Sequence, residues 1–168
     1  MIETVVIATD GSASAQRAVE VALEFADRFD AAVHALYVID ESELEATPAE
    51  VRADLEEALT TTGGKAVSFV REQALGERPA GDDVDVVTAV RHGKPADEII
   101  DYAHEHDADV IASGTRGRHG EHGFLLGSVA EAIVRRSPVP VLTVRQLDAG
   151  EVTEAVESAA DGPGSDVV

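Results

Sequence analysis

The residues with the clearest chemical potential form a glycine-rich stretch, SGTRGRHGEHGFLLGS, at positions 113–128. Gly114, Gly117, Gly127 and Ser128 give it the spacing Gly-x2-Gly-x9-Gly-Ser, between an apolar run and a helical pattern. Glycines let backbone N–H groups approach an anion closely, and a helix N-terminus adds a favourable partial charge. The stretch therefore predicts a loop that binds the phosphates of a nucleotide, with Ser128 capping the next helix or donating to a phosphate oxygen.

Other interpretations of this stretch stay open. The glycines also suit an ordinary loop, and Arg116 and Arg118 could pair with phosphate or with a nearby carboxylate. The spacing differs from the P-loop, because no lysine precedes Ser128, and from G-x-G-x-x-G. His119 and His122 lie in a glycine-rich loop without a third ordered ligand, and His104 and His106, two apart on a helix, do not face each other. Solvated histidines are the better interpretation, and we predict no metal ligand.

The elements around this loop alternate between strands and helices. The strands are continuous apolar runs, which are typical of a parallel sheet covered on both faces. Residues 40–47 are expected to form an acidic loop, Gly63-Gly64 to bend or break a long helix, and 79–83 to form another loop. Strands are predicted at about 2–9, 32–39, 84–90, 109–113 and 139–144, and helices at about 13–29, from 48 to 73, 95–106 and 128–136.

The predicted fold is a single-domain, doubly wound α/β fold, with five parallel strands in the order 3-2-1-4-5 and helices on both faces. In such sheets, ligands bind beyond the carboxyl ends of the strands, where the winding direction reverses. Asp10 ends the first strand and Gly114 ends the fourth, so both would line one crevice. A local Asx turn or helix cap is the alternative role for Asp10. The domain is expected to cover residues 1–146, with 147–168 as an acidic, disordered tail.

The charge of the chain excludes some partners. It has 13 Lys and Arg against 33 Asp and Glu, a net charge of -20. That charge repels nucleic acid and anionic membranes, so we predict neither as a partner. The acid excess, spread over the whole chain, resembles that of proteins from salt-accumulating halophilic archaea; an ordinary acidic protein is the alternative. Without cysteine, a long apolar run or a signal-peptide pattern, the chain is expected to be cytoplasmic.

The glycine spacing and the order of four further segments resemble the universal stress protein family, in its UspA-like, ATP-binding form. The segments are VVIATDGS at 5–12, VHALYVID at 33–40, GKPADEII at 93–100 and PVPVLTVR at 138–145. The resemblance implies an adenine nucleotide alpha hydrolase-like fold, a homodimer through strand five, and a stress sensor or regulator. It also implies ATP, with or without Mg²⁺, bound by Thr9, Asp10, Val38, Ser113, Gly114, Arg116, Gly117, Gly127, Ser128 and Val129.

Two roles within this set come from the resemblance alone: Asp10 would contact the adenosine part, and the backbone of Val38 would meet adenine. Two other functions remain as alternatives, a slow ATPase or phosphotransfer enzyme and a protein-interaction module without nucleotide. The intact glycine signature argues against the second. No residue is clearly placed as a nucleophile or general base, so we predict no catalytic residue and at most slow hydrolysis.

Overall fold

The computed structural model describes residues 1–76, 84–116 and 126–146. Strands and helices alternate along most of this chain, as the apolar runs and helical patterns predict. The elements are β1 (Thr4–Ala8), α1 (Ala13–Phe29), β2 (Ala32–Asp40), α2 (Glu41–Ala46), α3 (Ala49–Leu75), β3 (Val86–Gly93), α4 (Pro95–Glu105), β4 (Val110–Gly114), α5 (Ser128–Arg136) and β5 (Val141–Val144).

The strands form one parallel sheet in the order β3-β2-β1-β4-β5, which confirms the predicted fold class and strand order. The chain builds outward from β1 through β2 to β3, then returns to the other side of β1 for β4 and β5. The winding therefore reverses between β1 and β4. The register places Ala8 opposite Ser113 and Gly114 opposite Val144, so three strands end at nearly the same level.

Both faces of the sheet are buried, which explains the apolar runs. Alternate residues of β1 enter two different clusters, since successive side chains of a strand point to opposite faces. Val5 and Ile7 pack with residues of α1 and α3, among them Val19, Ala22, Val67 and Val70. Val6 packs on the other face with residues of α4 and α5, among them Ile99, Tyr102 and Ile133.

The expected acidic loop at 40–47 is wrong in its central part, where α2 forms one and a half turns. Asp40 caps this helix, because its Oδ1 accepts a hydrogen bond of 2.9 Å from the backbone N–H of Ser42. Glu41 and Glu43 lie in the first turn, where carboxylates favour the positive end of the helix dipole. Buried Leu44 anchors the helix to the core.

Of the bend or break expected at Gly63-Gly64, the break is wrong, since α3 runs without interruption from Ala49 to Leu75. Burial of its inner face against β2 and β3 outweighs the helix propensity that two glycines lose, about 1 kcal/mol each. Smaller differences concern strand ends, with β3 starting at Val86 and β5 at Val141. The predicted loop at 79–83 and the predicted tail at 147–168 lie outside the described residues.

Candidate functional site

The turn after β1 is sharp and internally bonded. The backbone N–H of Thr9 donates to the carbonyl of Leu36 on β2 at 3.0 Å, and the Thr9 hydroxyl accepts from the N–H of Gly11 at 3.2 Å. Gly11 has a φ of +73°, which disfavours any residue with a side chain. A Cβ at this position would also lie 3.2 Å from the Cβ of Ala66 on α3. Glycine therefore lets the chain leave β1 and enter α1 close to α3.

Asp10 is bonded through one carboxylate oxygen only. Its Oδ1 accepts from the backbone N–H of Ser12 at 2.9 Å and from the Ser12 hydroxyl at 2.6 Å. This is the Asx turn that the sequence left open as a local role. Its Oδ2 is buried and has no hydrogen-bond partner in the described part of the chain. A buried carboxylate oxygen without a donor is costly, so Oδ2 is poised to accept a hydrogen bond from a ligand.

The end of β4 lies next to this turn, because Ala8 pairs with Ser113. Ser113 is buried, and its hydroxyl donates to the carbonyl of Gly114 at 3.0 Å. Arg116 follows two residues later and is half-buried. Gly117 lies outside the described residues, as do the other residues of the loop from 118 to 125. The described residues thus bring Thr9, Asp10, Ser113 and Gly114 to one edge of the sheet.

The N-terminus of α5 returns to the same edge. The backbone N–H of Gly127 donates to the carbonyl of Thr115 at 2.7 Å. Gly127, with φ −62° and ψ 158°, is the N-cap residue, and Ser128 is already helical. Of the two roles that the sequence offered for Ser128, capping this helix is wrong, because the cap position falls one residue earlier, at a glycine without a side chain. The N–H groups of Ser128 and Val129 belong to the helical turn that lacks internal partners, the kind that binds anions.

Val38 lies one strand away from Asp10, near the end of β2. It is half-buried and packs against the cluster on the α4 and α5 face. The bond from Thr9 to Leu36 joins the β1 turn to β2 two residues before Val38. The nine predicted site residues that the structure describes therefore lie at or near the carboxyl edge of β2, β1 and β4.

A cavity of about 310 Å³ adjoins the β1 turn, and sequence reasoning missed part of its wall. It lies between α1 and α3, because residues of both helices line it. Ala66 and Phe69 of α3 are ordinary helix residues in the sequence, and only the tertiary packing brings them to the turn. The lining residues are Thr9, Gly11, Ser12, Ala13, Gln16, Val19, Ala66 and Phe69.

This arrangement offers an acceptor at Asp10, the N-terminus of α5 with a glycine at its cap position, and an arginine at Arg116. Such a set suits a ligand with hydroxyl or amine donors at one end and an anionic group at the other. Within the ranges that the structure describes, no three His, Cys, Asp or Glu side chains form a group that could hold a metal ion.

The fold defines a doubly wound α/β protein, whose sheet reverses its winding between β1 and β4, the place where such sheets bind ligands. The family model of the universal stress protein family matches residues 1–145. A universal stress protein of Methanocaldococcus jannaschii is 37% identical over 147 residues, covering 87% of this chain and 84% of that protein. The chain belongs to the universal stress protein family.

Solved structures agree with this assignment. The universal stress protein UspA from Lactobacillus plantarum superposes with a TM-score of 0.69 at 28% identity, covering 85% of this chain and 97% of that one. A universal stress protein solved in complex with cAMP superposes with a TM-score of 0.60 at 26% identity, covering 86% and 97%. None of the helices in the described ranges has the length and apolar character needed to cross a membrane.

Proposed function

We propose that this protein binds ATP in the crevice between the carboxyl ends of β1 and β4, and that it acts as a stress sensor or regulator. The proposal rests on Asp10, whose Oδ2 is buried at the reversal point of the sheet without a hydrogen-bond partner among the described residues. A ribose hydroxyl or the adenine amino group would supply the missing donor. The nucleoside end of the ligand is thereby assigned to Asp10 and Val38.

The phosphates are assigned to the other side of the crevice. The N-cap residue of α5 is Gly127, which has no side chain to bond the N–H groups of the first turn, and neither Gly114 nor Gly127 has a side chain that would block an approach. Gly117 belongs to this loop by its spacing in the sequence. Ser113 and Arg116 complete the set with a hydroxyl and a cation at the end of β4.

Among the described residues, Mg²⁺ fits this crevice as a companion of the phosphates. Mg²⁺ usually keeps several waters and binds through one or two carboxylates together with phosphate oxygens. The carboxylate of Asp10 is the group suited to a water of such an ion. When bound, Mg²⁺ would neutralise part of the phosphate charge in a chain whose net charge is -20.

The adenine class of the ligand is supported by the relative that was solved with cAMP. The Gly-x2-Gly-x9-Gly-Ser spacing favours a longer phosphate chain, since it spans from the end of β4 to the start of α5. A sensor role is favoured over efficient hydrolysis. Rapid phosphoryl transfer needs a residue that orients the attacking group, and we assign no such role to a residue of this crevice.

We also propose that two copies pair through β5, the last strand of the sheet. The backbone N–H of Ile111 donates to the carbonyl of Pro140, so Leu142 and Val144 turn their polar groups toward β4. Val141 and Thr143 then present their N–H and C=O groups at the open edge. A short apolar edge of this kind is a template for pairing with a second strand, and an isologous contact would close a dimer.

The test of nucleotide binding compares Asp10→Asn with Asp40→Asn by calorimetric titration of ATP. Asp40 is a matched control, because it also ends a strand and also bonds the N–H and hydroxyl of a serine two residues later. Asparagine keeps an acceptor for the serine in both variants, but at position 10 it places an amide donor where Oδ2 stood. We expect a loss of ATP affinity of about tenfold or more for Asp10→Asn alone. Equal affinities for both variants would overturn the assignment.

A further inference from the structure

Three arginines gather at the carboxyl ends of β4 and β5, in a chain with only 13 Lys and Arg against 33 Asp and Glu. Arg17 lies on α1 and donates from Nη1 to the backbone carbonyl of Arg145 at 2.7 Å. Arg145 directly follows β5, and Arg116 follows β4 by two residues. Since Gly114 pairs with Val144, Arg116 and Arg145 follow neighbouring strands at the carboxyl edge of the sheet. The bond to the Arg145 carbonyl brings the guanidinium of Arg17 to the same edge.

Arg17 differs from several other arginines in its partners. Arg91, Arg135 and Arg136 each form an ion pair with a carboxylate. In the described ranges, no carboxylate lies within ion-pairing distance of Arg17, which donates a hydrogen bond to a neutral carbonyl. A half-buried guanidinium without a carboxylate, in a chain this rich in acid, indicates a place for an external anion.

A short path of hydrogen bonds joins this cluster to the N-terminus of α5. The N–H of Thr115 donates to the carbonyl of Val144 at 3.1 Å, and the carbonyl of Thr115 accepts from the N–H of Gly127 at 2.7 Å. One residue, Thr115, therefore bridges the end of β5 and the start of α5. An anionic chain that begins at the α5 N-terminus would have the arginines as its next cationic neighbours.

We infer that Arg17 and Arg145 bind the terminal phosphate of a nucleoside triphosphate and so select it over the monophosphate. The inference rests on the proposed function, which assigns the phosphates to the α5 N-terminus, and it adds that the last of them extends to the arginines. A monophosphate bound there has no group that reaches the arginines, whereas a triphosphate extends further and carries more charge. The planar guanidinium suits this role, because it offers several donors to phosphate oxygens in a fixed geometry.

The experiment titrates ATP and AMP into wild type, Arg17→Gln, Arg145→Gln and Arg28→Gln at one ionic strength. Arg145→Gln keeps the backbone carbonyl to which Arg17 donates, so it removes charge without removing that bond. Arg28, in the last turn of α1, controls for the loss of one positive charge at the far end of the same helix. Thermal melting of each variant checks that it is folded.

We expect Arg17→Gln and Arg145→Gln to lower the affinity for ATP about tenfold and to keep the affinity for AMP within about twofold of wild type. Arg28→Gln should bind both nucleotides as wild type does. If the folded variants lose affinity for ATP and AMP equally, or lose affinity for neither, the arginines do not bind the terminal phosphate. In that case only this inference fails. If wild type binds neither nucleotide, the proposed function fails and takes this inference with it.

Discussion

Gly63 on α3 lies directly against the ring of Tyr37 on β2. A Cβ at Gly63 would lie 2.6 Å from Cδ1 of Tyr37, closer than side chains approach in folded proteins. Tyr37 is among the largest fully buried side chains of the described residues, so its ring has little space to move away. Gly63 is therefore a packing residue inside a continuous helix and does not mark a break in it.

Gly63→Ala should destabilise the protein by about 1–3 kcal/mol, because its methyl group overpacks the core at Tyr37. Gly64→Ala is the matched control, since a Cβ there would meet nothing within 4 Å. That change should leave stability the same or raise it by up to about 1 kcal/mol through helix propensity. Denaturant unfolding at fixed salt measures both; equal effects of the two substitutions would contradict this packing account.

The two errors about helices show what sequence periodicity misses. The apolar pattern predicted α5 at 128–136, the bounds that the structure has, because packing and local preference agree there. The Gly63-Gly64 pair failed as a signal since the reason for glycine is a tyrosine 26 positions earlier in the chain. Helix α2 was missed because it is too short for periodicity and depends on capping by Asp40.

In the candidate site, too, some residues could be assigned from the sequence and others only from the tertiary structure. Asp10 and Gly114 could be assigned to one crevice from the sequence only by assuming the strand order 3-2-1-4-5, which the structure confirms. The cavity wall from α3, and the bond from Arg17 to Arg145 across 128 residues, depend on tertiary packing. The capping role expected for Ser128 fails by one residue, since the N-cap of α5 is Gly127. Sequence patterns are least informative about the exact start of a helix.

Salt should stabilise the fold strongly, because the net charge is -20 and self-repulsion opposes the compact state. The Debye length falls to about 3 Å at 1 M salt, which screens most of that repulsion. We expect the melting temperature to rise steeply from low to molar KCl. Sucrose at matched osmolality does not screen charge and should raise it less. A melting temperature that is independent of KCl would indicate an ordinary acidic protein.

Stability should also fall in mildly acidic solution because of His34. Its Nδ1 lies 3.0 Å from the Tyr102 hydroxyl, and its ring centroid lies 5.0 Å from that of His106. Burial lowers the pKa of His34 below its ordinary 6.5 and the charge of His106 lowers it further, whereas Asp85 raises it. Of the charged groups around His34, Tyr102 and His106, Arg91 pairs with Glu105 and lies over the Tyr102 ring.

The direction in which stability changes with pH follows from this lowered pKa. Above about pH 6.5 His34 is neutral in both states; as pH falls below that value, the unfolded chain takes up the proton first and stability decreases. Unfolding measured across this pH range should show a smaller decrease for His34→Gln than for wild type. His104→Gln, on the exposed side of α4, should keep the wild-type slope. Identical slopes for wild type and His34→Gln would remove His34 as the cause.

If two copies pair through β5, a proline substitution should change the oligomeric state when it lies on β5 and not when it lies on β3. Val141→Pro should give a monomer, because proline removes an N–H at the open edge without breaking the ladder to β4. Thr88→Pro is the control on β3, since Thr88 also directs its N–H away from the neighbouring strand. Light scattering in high salt measures the mass. A wild-type monomer at micromolar concentration, or a Val141→Pro dimer, would place β5 outside any interface.

The most direct test of nucleotide binding is a calorimetric titration of ATP with Mg²⁺ in molar KCl, using wild type and Gly127→Val. The backbone of Gly127, at φ −62° and ψ 158°, is one that valine adopts without strain, so the variant should fold. Its side chain would then lie where the phosphates approach the start of α5. We predict saturable binding to wild type below millimolar ATP and at least tenfold weaker binding to folded Gly127→Val. No detectable binding to wild type at millimolar ATP, or equal binding to both proteins, would contradict the assignment of the crevice to ATP.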